Sequence, residues 1–367
     1  MAKQYDVIVI GGGLVGAATA FGLAKQGQKV LVLDGEDQSL RASKANFGLV
    51  WAQGKGWDYS PYANWCHFAT NIWPEFDKEL TELTGTRLGY QRQGGFHFCI
   101  NDDEWQQRGS MLSALKANTD GKFEYEMLDH DQLKAVIPQI SPAVIGASYS
   151  KQDGHVDPLA LTHALYKAMK CLGVRYQPNC LVKTLQCQHG EYKVDGDGFT
   201  YVAGKVVLCA GLANNQLGKQ LGMNVPVIPE RGQVLITERL APFLPWPTLH
   251  VRQTVQGTVQ IGDSHESVGY DDGTSPNVLQ QIARRAVLMF PMLSSVRLVR
   301  AWGGIRILTP DGNPIYQQSE EFSGLYAVTC HSGVTLAAAH AGPLCDWILD
   351  KQSMPVIDKF SMDRFDV

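Results

Sequence analysis

The pattern of apolar and polar positions near the amino terminus predicts a strand, a turn, a helix and a second strand. Val7–Ile10 is a continuous apolar run, which is typical of a strand buried on both faces of a parallel sheet. Small and apolar residues then predict a helix from about Leu14 to Gln26, and Lys29–Leu33 predicts the second strand. Asp34 closes that strand. The chain therefore opens with the strand–helix–strand unit of a parallel sheet.

Glycines occupy the turn between the first strand and the helix. Gly11 permits a tight turn, Gly13 lets a pyrophosphate approach the backbone, and Gly16 lets the helix pack closely on the strand. Leu14 and Val15 begin the helix, whose free amides and positive dipole end point towards that phosphate. An acid closes the second strand, where it is in register for ribose hydroxyls. The whole pattern favours a dinucleotide site over an ordinary glycine-rich turn.

Beyond residue 88 the pattern changes to short strands beside polar helices. The block 89–149 has no βαβ rhythm, and residues 225–238 and 249–263 alternate as in an antiparallel sheet. Lys205–Gly211 predicts another buried strand, which returns the chain to the first domain. We therefore predict a discontinuous dinucleotide-binding domain of residues 1–88, 150–222 and 305–367, and a substrate domain of residues 89–149 and 223–304.

A second strand–glycine–helix junction is predicted near the carboxyl terminus. Gly324–Thr329 predicts a strand, and Val334–Leu349, rich in alanine, predicts a helix. Cys330–Gly333 lies between them. Upstream, Val296–Ile307 predicts a pair of strands. A nicotinamide enzyme would not need the second junction, whereas a flavin enzyme can aim a second helix at the pyrimidine side of the isoalloxazine ring.

Composition narrows the classes of function. The chain has 367 residues and a net charge of −4, which gives no basic field for nucleic acid. No apolar run is long enough to span a bilayer. The eight cysteines are dispersed, and no His, Cys or Asp cluster has metal-ligand spacing. We therefore expect reduced thiols, no metal site and a cytoplasmic protein.

Five motifs follow one another in a recognisable order along the chain. They are GGGLVG with Asp34, Ser43-x-x-Asn46-x-Gly48, VVLCAG at 206–211, GGIRILTPDGNP at 303–314 and GLYAVTCHSGVTLA at 324–337. On these motifs the sequence resembles the D-amino-acid-oxidase-like (DAO) flavoenzymes, which include glycine oxidase and sarcosine oxidase, over essentially its whole length. Within that family it looks most like the catalytic subunits of opine oxidase, hydrogen cyanide synthase and dye-linked D-hydroxyproline or proline dehydrogenases.

The resemblance implies an α/β fold, with a Rossmann-type, glutathione-reductase-like FAD-binding domain and an α+β substrate domain built on an antiparallel sheet. It implies FAD as the cofactor. For every residue below other than Gly11, Gly13, Gly16 and Asp34, the alternative to binding FAD is an ordinary role in packing. The FAD-binding residues that the resemblance implies are Gly11, Gly13, Leu14, Val15, Gly16, Asp34, Gly35, Ser43, Asn46, Gly48, Leu49, Val182, Ala210, Gly211, Gly304, Gly333, Val334 and Thr335.

The resemblance also assigns a substrate group to Arg306. Its planar guanidinium suits bidentate binding of a carboxylate; the alternative is an arginine paired with Asp311 or another acid. His331 is a candidate that faces the substrate, or a histidine satisfied by the backbone. Tyr270 is a further catalytic candidate. Weaker pocket candidates are His250, Lys55 and Trp302.

Two departures from the sarcosine oxidase pattern bear on the flavin. Gly304 stands where that group links its flavin to a cysteine, and Thr335 stands where it has a lysine that assists oxygen reduction. The resemblance therefore implies non-covalent FAD and poor use of oxygen. It implies partner subunits that take up electrons, and membrane attachment, if any, only through such a partner.

The activity implied is dehydrogenation of an amino acid or N-substituted amino acid of the opine, D-hydroxyproline, proline or glycine type. Hydride passes from the amine-bearing carbon to flavin N5, and water hydrolyses the imine. Two alternatives stay open: a true oxidase that releases hydrogen peroxide, and a flavin-carrying subunit without turnover.

Overall fold

A computed structural model describes residues 3–35, 42–351 and 355–365. Its strands are β1 Lys3–Ile10, β2 Val30–Leu33, β3 Leu49–Val50, β4 Gly95–Cys99, β5 Glu126–Asp129, β6 Gly146–Ser150, β7 Gly154–His155, β8 Arg175–Gln177, β9 Val182–Gln188, β10 Glu191–Gly196, β11 Phe199–Leu208, β12 Ile228–Arg239, β13 Val251–Gln253, β14 Thr258–Ile261, β15 Leu298–Leu308, β16 Ile315–Gln318 and β17 Leu325–Thr329.

The α-helices lie between these strands and after the last of them. They are α1 Leu14–Lys25, α2 Ala42–Ala45, α3 Ser60–Thr84, α4 Asp102–Asn118, α5 His130–Val136, α6 Pro158–Cys171, α7 Asn214–Lys219, α8 Pro276–Met289, α9 Ala337–Ala341, α10 Pro343–Ile348 and α11 Pro355–Asp358. Among the helices so described, none is long and apolar enough to cross a membrane.

The largest sheet has the strand order β16-β17-β11-β1-β2-β8. All neighbours in that order are parallel except β16, which is antiparallel to β17. At its centre Ile8 lies between Val206 and Leu31. Because parallel strands end at the same edge, the carboxyl ends of β1, β11 and β17 bring the two glycine-rich junctions side by side.

The central strand is buried on both faces, as its continuous apolar run predicts. On one face Val7 and Val9 share a core with Phe21 of α1. On the other face Ile8 and Ile10 share a core with Tyr192 of β10 and its neighbours. Helix α1 therefore packs on the face of the sheet that Val7 and Val9 form.

A second sheet is antiparallel, with the strand order β13-β14-β12-β15. Strand β15 pairs with β12 along nearly its whole length, from Leu298 opposite Thr237 to Leu308 opposite Ile228. The prediction of a strand pair at 296–307 is therefore wrong: Gly303 and Gly304 lie within one continuous strand rather than in a turn. That strand crosses the predicted boundary at 304/305, and the domain limits stay a prediction.

The predicted helix at 334–349 differs from the structure at two points. Residues 333–336 form turns, so α9 begins only at Ala337. Gly342 then separates α9 from α10, because Pro343 follows it and cannot continue a helical hydrogen-bond ladder. The start of α6 follows from its local sequence, an acid followed by proline: Asp157 is the N-cap, accepting hydrogen bonds from the amides of Leu159 and Ala160, and Pro158 is in the first turn.

Candidate active site

One cleft brings together both glycine-rich junctions, the loop after α2 and the middle of β15. It lies where the parallel sheet meets the antiparallel sheet. The residues that line it include Leu14, Val15, Ser43, Asn46, Gly48, Leu49, Trp51, Lys55, Asp263, Gly304, Arg306, Cys330, His331, Gly333, Val334 and Thr335. Most of these are FAD or catalytic candidates from the sequence, and Lys55 is one of the weaker pocket candidates.

The first wall of the cleft is the start of α1. Gly11 has φ +107°, and a Cβ there would collide with the backbone of Cys209, so only glycine fits. The Leu14 amide donates to Ser43 Oγ at 2.8 Å. In the described part of the chain the amides of Gly13 and Val15 have no acceptor. This wall presents free N–H groups at a positive helix end, which is what a pyrophosphate requires.

The far end of this wall carries the acid. Asp34 is 2% exposed, its carboxylate lies beside Gly12, and it accepts a hydrogen bond of 3.3 Å from Tyr176. Gly35 packs against Leu181, the residue before Val182. The structure thus places Asp34, Gly35 and Val182, three of the residues implied to bind FAD, near one another at one end of β2 and the start of β9.

The second wall is the segment from Cys330 to Leu336. Trp73 on α3 donates its indole N–H to the carbonyls of Val334 and Thr335, at 3.2 and 3.0 Å. The amides of Gly333, Val334 and Thr335 have no acceptor among the residues that the structure describes. The turn therefore presents three consecutive amide donors, and Trp73 holds the carbonyls of two of these residues from behind, although α9 itself begins later.

Other predicted FAD residues organise the loop opposite these walls. The side chain of Asn46 hydrogen-bonds within its own loop. Its Nδ2 donates to the Ser43 carbonyl at 2.7 Å, and its Oδ1 accepts from the Gly48 amide at 2.8 Å. Thr335 Oγ1 accepts from the Trp51 amide at 3.1 Å. These two side chains hold the lining in place rather than project freely into the cleft.

Three small residues lie where β15 closely approaches neighbouring segments. A Cβ on Gly304 would collide with the Cβ of Ala45, so β15 and α2 approach as closely as two backbones with one methyl allow. Gly211 has φ +61° and faces Ile307 of β15, while the Ala210 amide donates to the side chain of Asn214 at 2.7 Å. The structure thus places Ala210 and Gly211 beside the cleft rather than in its lining.

Arg306 lines the cleft but is already paired with acids. Its Nη1 donates to Glu230 Oε2 at 3.1 Å and to the Ser264 carbonyl at 2.6 Å, and its Nη2 donates to Asp263 Oδ2 at 2.6 Å. The side chain is 17% exposed. Nε and one N–H of Nη2 have no partner within the described ranges. Asp311, the acid considered from the sequence, pairs instead with Arg364.

Lys55 and His331 lie together at the same end of the cleft. Lys55 Nζ is 3.5 Å from His331 Nδ1. Burial lowers the pKa of Lys55, and the nearby charge of Arg306 adds to this effect. Burial and the charge of Lys55 lower the pKa of His331 well below its usual value, so this imidazole is neutral near pH 7.

Three candidates are not brought into the cleft lining. Tyr270 is 74% exposed and lines a separate surface depression with Leu212 and Ile228. The ring of His250 contacts His97 edge to face, and burial lowers the pKa of His250 to about 4. Trp302 donates its indole N–H to the Ala45 carbonyl at 3.2 Å.

Glu230 and Asp263 are site residues that the sequence reasoning missed. Glu230 stands directly opposite Arg306 in the β12–β15 ladder. An antiparallel register between 225–238 and 296–307 would have indicated this pair, but the assignment of 296–307 to two strands concealed it. Asp263 follows β14, which also pairs with β12.

The two walls fit FAD on their own chemistry. Unpaired amides at the start of α1 suit a pyrophosphate, and three unpaired amides at 333–335 suit the carbonyl and ring-nitrogen edge of a flavin. The acid beside Gly12 suits a ribose. These residues would hold the cofactor.

A comparison with known protein families decides the class of protein. Residues 6–347 match the model of the DAO family, described as FAD dependent oxidoreductase. This chain belongs to that family. The predictions of a flavoenzyme, of FAD as cofactor and of a Rossmann-type fold with a substrate domain are thereby confirmed. Non-covalent binding and the roles of individual residues stay predictions.

Individual relatives extend over the same length. The chain is 39% identical over 363 residues to an opine oxidase subunit of Agrobacterium tumefaciens (strain Ach5), covering 99% of this chain and 98% of the relative. It is 25% identical to the HcnC subunit of hydrogen cyanide synthase of Pseudomonas aeruginosa, covering 100% and 97%. The solved structure of glycine oxidase from Geobacillus kaustophilus shares the fold, with a TM-score of 0.90, 24% identity and 98% coverage of each chain.

Proposed function

We propose that this enzyme oxidises the C–N bond of an N-substituted amino acid of the opine type and passes the electrons to a partner chain or a quinone. An opine is an amino acid whose nitrogen carries a carboxyalkyl group, so it has two carboxylates beside one secondary amine. The observation that carries the proposal is the presence of two cationic side chains, Arg306 and Lys55, in the lining of one cleft. The likeness to the opine oxidase subunit supports it.

The charges in the cleft suit such a substrate. Arg306 keeps Nε and one Nη2 N–H for a carboxylate, and its other donors are fixed by Glu230 and Asp263. Lys55 has no acid within ion-pair distance in the described chain, so a second carboxylate would supply its counter-charge. A substrate with one carboxylate, such as glycine, leaves one of these cations unmatched.

Bound in the cleft, FAD supplies the acceptor for a hydride from the carbon that carries the amine. The chain's own residues orient that carbon by holding its carboxylates. Only the free amine can release hydride. Because burial and the charges of Lys55 and Arg306 hold the pKa of His331 well below its usual value, the substrate amine binds neutral or loses its proton to water rather than to this imidazole. Trp51 and the turn at 333–335 border the space and limit access of water.

A true oxidase is the second candidate, because glycine oxidases share the fold and are relatives in sequence. Thr335 favours the dehydrogenase: its hydroxyl is engaged by Trp51 and Leu49, and it brings no positive charge to the turn. A fixed positive charge near the flavin stabilises the superoxide that forms when oxygen takes up the first electron.

The test is anaerobic bleaching of the flavin in the purified protein by a panel of compounds. Opines, D-hydroxyproline, proline, sarcosine, glycine and D-amino acids are compared at equal concentration. We expect opine-type dicarboxylates to bleach the flavin fastest. Bleaching only by substrates with a single carboxylate would contradict the proposal. Turnover is then measured in air as peroxide and under nitrogen with an artificial dye, and the ratio separates oxidase from dehydrogenase.

A further inference from the structure

A second cavity lies behind the loop of Gly48 and shares no lining residue with the flavin cleft. Its walls are the turn after β13, the start of α6 and the segment 87–89. The Val156 amide donates to the Gly48 carbonyl at 2.9 Å, so one pair of backbone segments separates the two spaces. No residue that the FAD assignment uses faces this cavity.

Arg252 lines the cavity and has unused donors. The residue is 4% exposed, and its Nη1 donates to the Val156 carbonyl at 2.6 Å. Its Nε is buried without a partner, and Nη2 has no acceptor among the residues described. A buried guanidinium with unused donors is costly unless a ligand supplies acceptors, because burial removes the guanidinium from bulk water.

His155 lines the same cavity and has an unused acceptor. Its ring Nε2 is 3.0 Å from the Gln91 side-chain oxygen, which can only accept, so Nε2 carries the proton. The residue is 4% exposed, and Nδ1 is buried without a partner. Nδ1 is therefore a lone pair that needs a donor from a ligand.

The charges around the cavity leave an excess of one positive charge. Arg252 and the exposed Arg87 are cations, neither in an ion pair within the described chain, while Asp157 is the single acid in the lining. Asp157 Oδ1 already accepts from the amides of Leu159 and Ala160, at 2.9 and 3.1 Å. Because Asp157 already caps the first amides of α6, the amino-terminal end of this helix is not itself the anion site.

We propose that this cavity binds a phosphate group that keeps one proton. Arg252 and Arg87 hold the anionic oxygens, and the P–O–H group donates to Nδ1 of His155. The site satisfies both orphaned groups at once, which a halide, a hydrocarbon or a fully ionised oxyanion does not. Its ligand is either free phosphate or the phosphate of a larger molecule that enters past the exposed Arg87, Val255 and Gln256.

Calorimetric titration of the FAD-loaded protein with inorganic phosphate tests this proposal, in a phosphate-free buffer near neutral pH and at constant ionic strength. We expect one saturable site. Sulfate is the matched probe, since it has the same shape and no proton near neutral pH, and we expect it to bind more weakly. A phosphate monoester such as a nucleoside monophosphate is the second arm. Tighter binding of the ester than of phosphate indicates a larger ligand.

Two arginine variants locate the site. Arg252→Gln should weaken phosphate binding by about 30-fold or more, because it removes a buried charge partner. Arg87→Gln should weaken it measurably but less, by about 2- to 5-fold, because that charge is exposed and screened. Arg284→Gln is the matched control, an exposed arginine of α8 that does not line the cavity, and it should bind as the unchanged protein does.

The proposal is overturned if phosphate gives no saturable heat, or if folded Arg252→Gln binds it with unchanged affinity. Retained FAD and an unchanged circular dichroism spectrum show that the variant is folded. Should Arg252→Gln fail to fold, Arg87→Gln and the sulfate comparison decide. Equal phosphate affinity in Arg87→Gln and the unchanged protein, together with equal affinity for sulfate, also overturns the proposal.

Discussion

Arg306 Nη2 donates a hydrogen bond of 2.6 Å to Asp263 Oδ2 at the edge of the flavin cleft. Glu230, which lies opposite Arg306 in the sheet, accepts a hydrogen bond from Nη1. An arginine held on two sides by acids is oriented before a substrate arrives, which lowers the entropy cost of binding. The acids also reduce its net charge, so a substrate carboxylate interacts with the donors that remain. Arg306 is therefore paired with acids of the protein and still has donors with which to bind a substrate carboxylate.

Arg306→Ala should leave FAD bound and weaken substrate binding. The substrate carboxylate loses its charged partner, and Glu230 and Asp263 lose theirs, at a cost of about 2–5 kcal/mol. We expect the apparent Kd from anaerobic flavin reduction to rise by about 30-fold or more. Arg306→Lys should restore only part of the affinity, because an ammonium cannot reproduce the planar fork.

Arg297→Ala is the matched control for this change. Arg297 also pairs with an acid of β12, Glu238, but its side chain is 84% exposed. Its removal should leave substrate binding unchanged. Equal kinetics in Arg306→Ala and Arg297→Ala would assign Arg306 a structural role only.

Lys55→Met should distinguish between substrates with one and with two carboxylates. If Lys55 balances the second carboxylate of an opine, its loss raises the apparent Kd for opines by about tenfold or more and leaves that for sarcosine or proline within about twofold. The measurement is stopped-flow flavin reduction with both substrate classes. Lys170→Met, an exposed lysine on α6, serves as the control. An equal loss for both classes would contradict the proposed dicarboxylate site.

The sequence predicts the parts of this molecule that follow from local chemistry. Gly11 and Gly13 lie before α1 and Gly16 lies in its first turn, as expected, because this arrangement depends on a few adjacent residues; the cap at Asp157 is equally local. The partners of Arg306 were missed because they depend on the register between distant strands. Tyr270 was a catalytic candidate, but it lies in the loop after β14 at the surface, where it is 74% exposed. Long-range pairing, not propensity, decides such positions.

Asp153 should make stability fall as pH rises through the acid range. The carboxyl is fully buried, burial raises its pKa from 3.8 to about 7, and its Oδ1 accepts from the amides of Ala52 and Gln53. A group whose pKa is raised on folding binds its proton more tightly in the folded state. Its contribution is fully present below pH 3.8 and is lost as pH rises to about 7.

Asp153→Asn keeps an oxygen for both amides and removes the ionisation. The unfolding free energy of the natural protein relative to this variant should decline between about pH 4 and pH 7, by about 4 kcal/mol at most. Urea unfolding at several pH values measures it. Asp58→Asn, at an exposed position, is the control. A difference between Asp153→Asn and the natural protein that does not change with pH would refute the prediction.

FAD should leave the protein on denaturation with acid. Gly304 offers no sulfur, and a side chain there would collide with Ala45. The cysteine that does line the cleft, Cys330, is buried, and burial raises the pKa of its thiol to about 12. A protonated thiol is a poor nucleophile towards a flavin ring. We expect a yellow supernatant and a colourless pellet; colour that stays with the pellet would show a covalent link.

Reduced enzyme should react slowly with oxygen and need another acceptor. Thr335 is uncharged and its hydroxyl is held between Trp51 and Leu49, so the turn beside the flavin brings no cation to stabilise superoxide. Lys55 also lines the cleft, and burial lowers its pKa. Stopped-flow reoxidation in air-saturated buffer, compared with reoxidation by a quinone, measures the preference. Rapid reaction with oxygen that disappears in Lys55→Met would make this protein an oxidase and Lys55 its oxygen-activating group. Slow reaction in both proteins, with fast transfer to a quinone or to chains that co-purify from the native host, is the expected result.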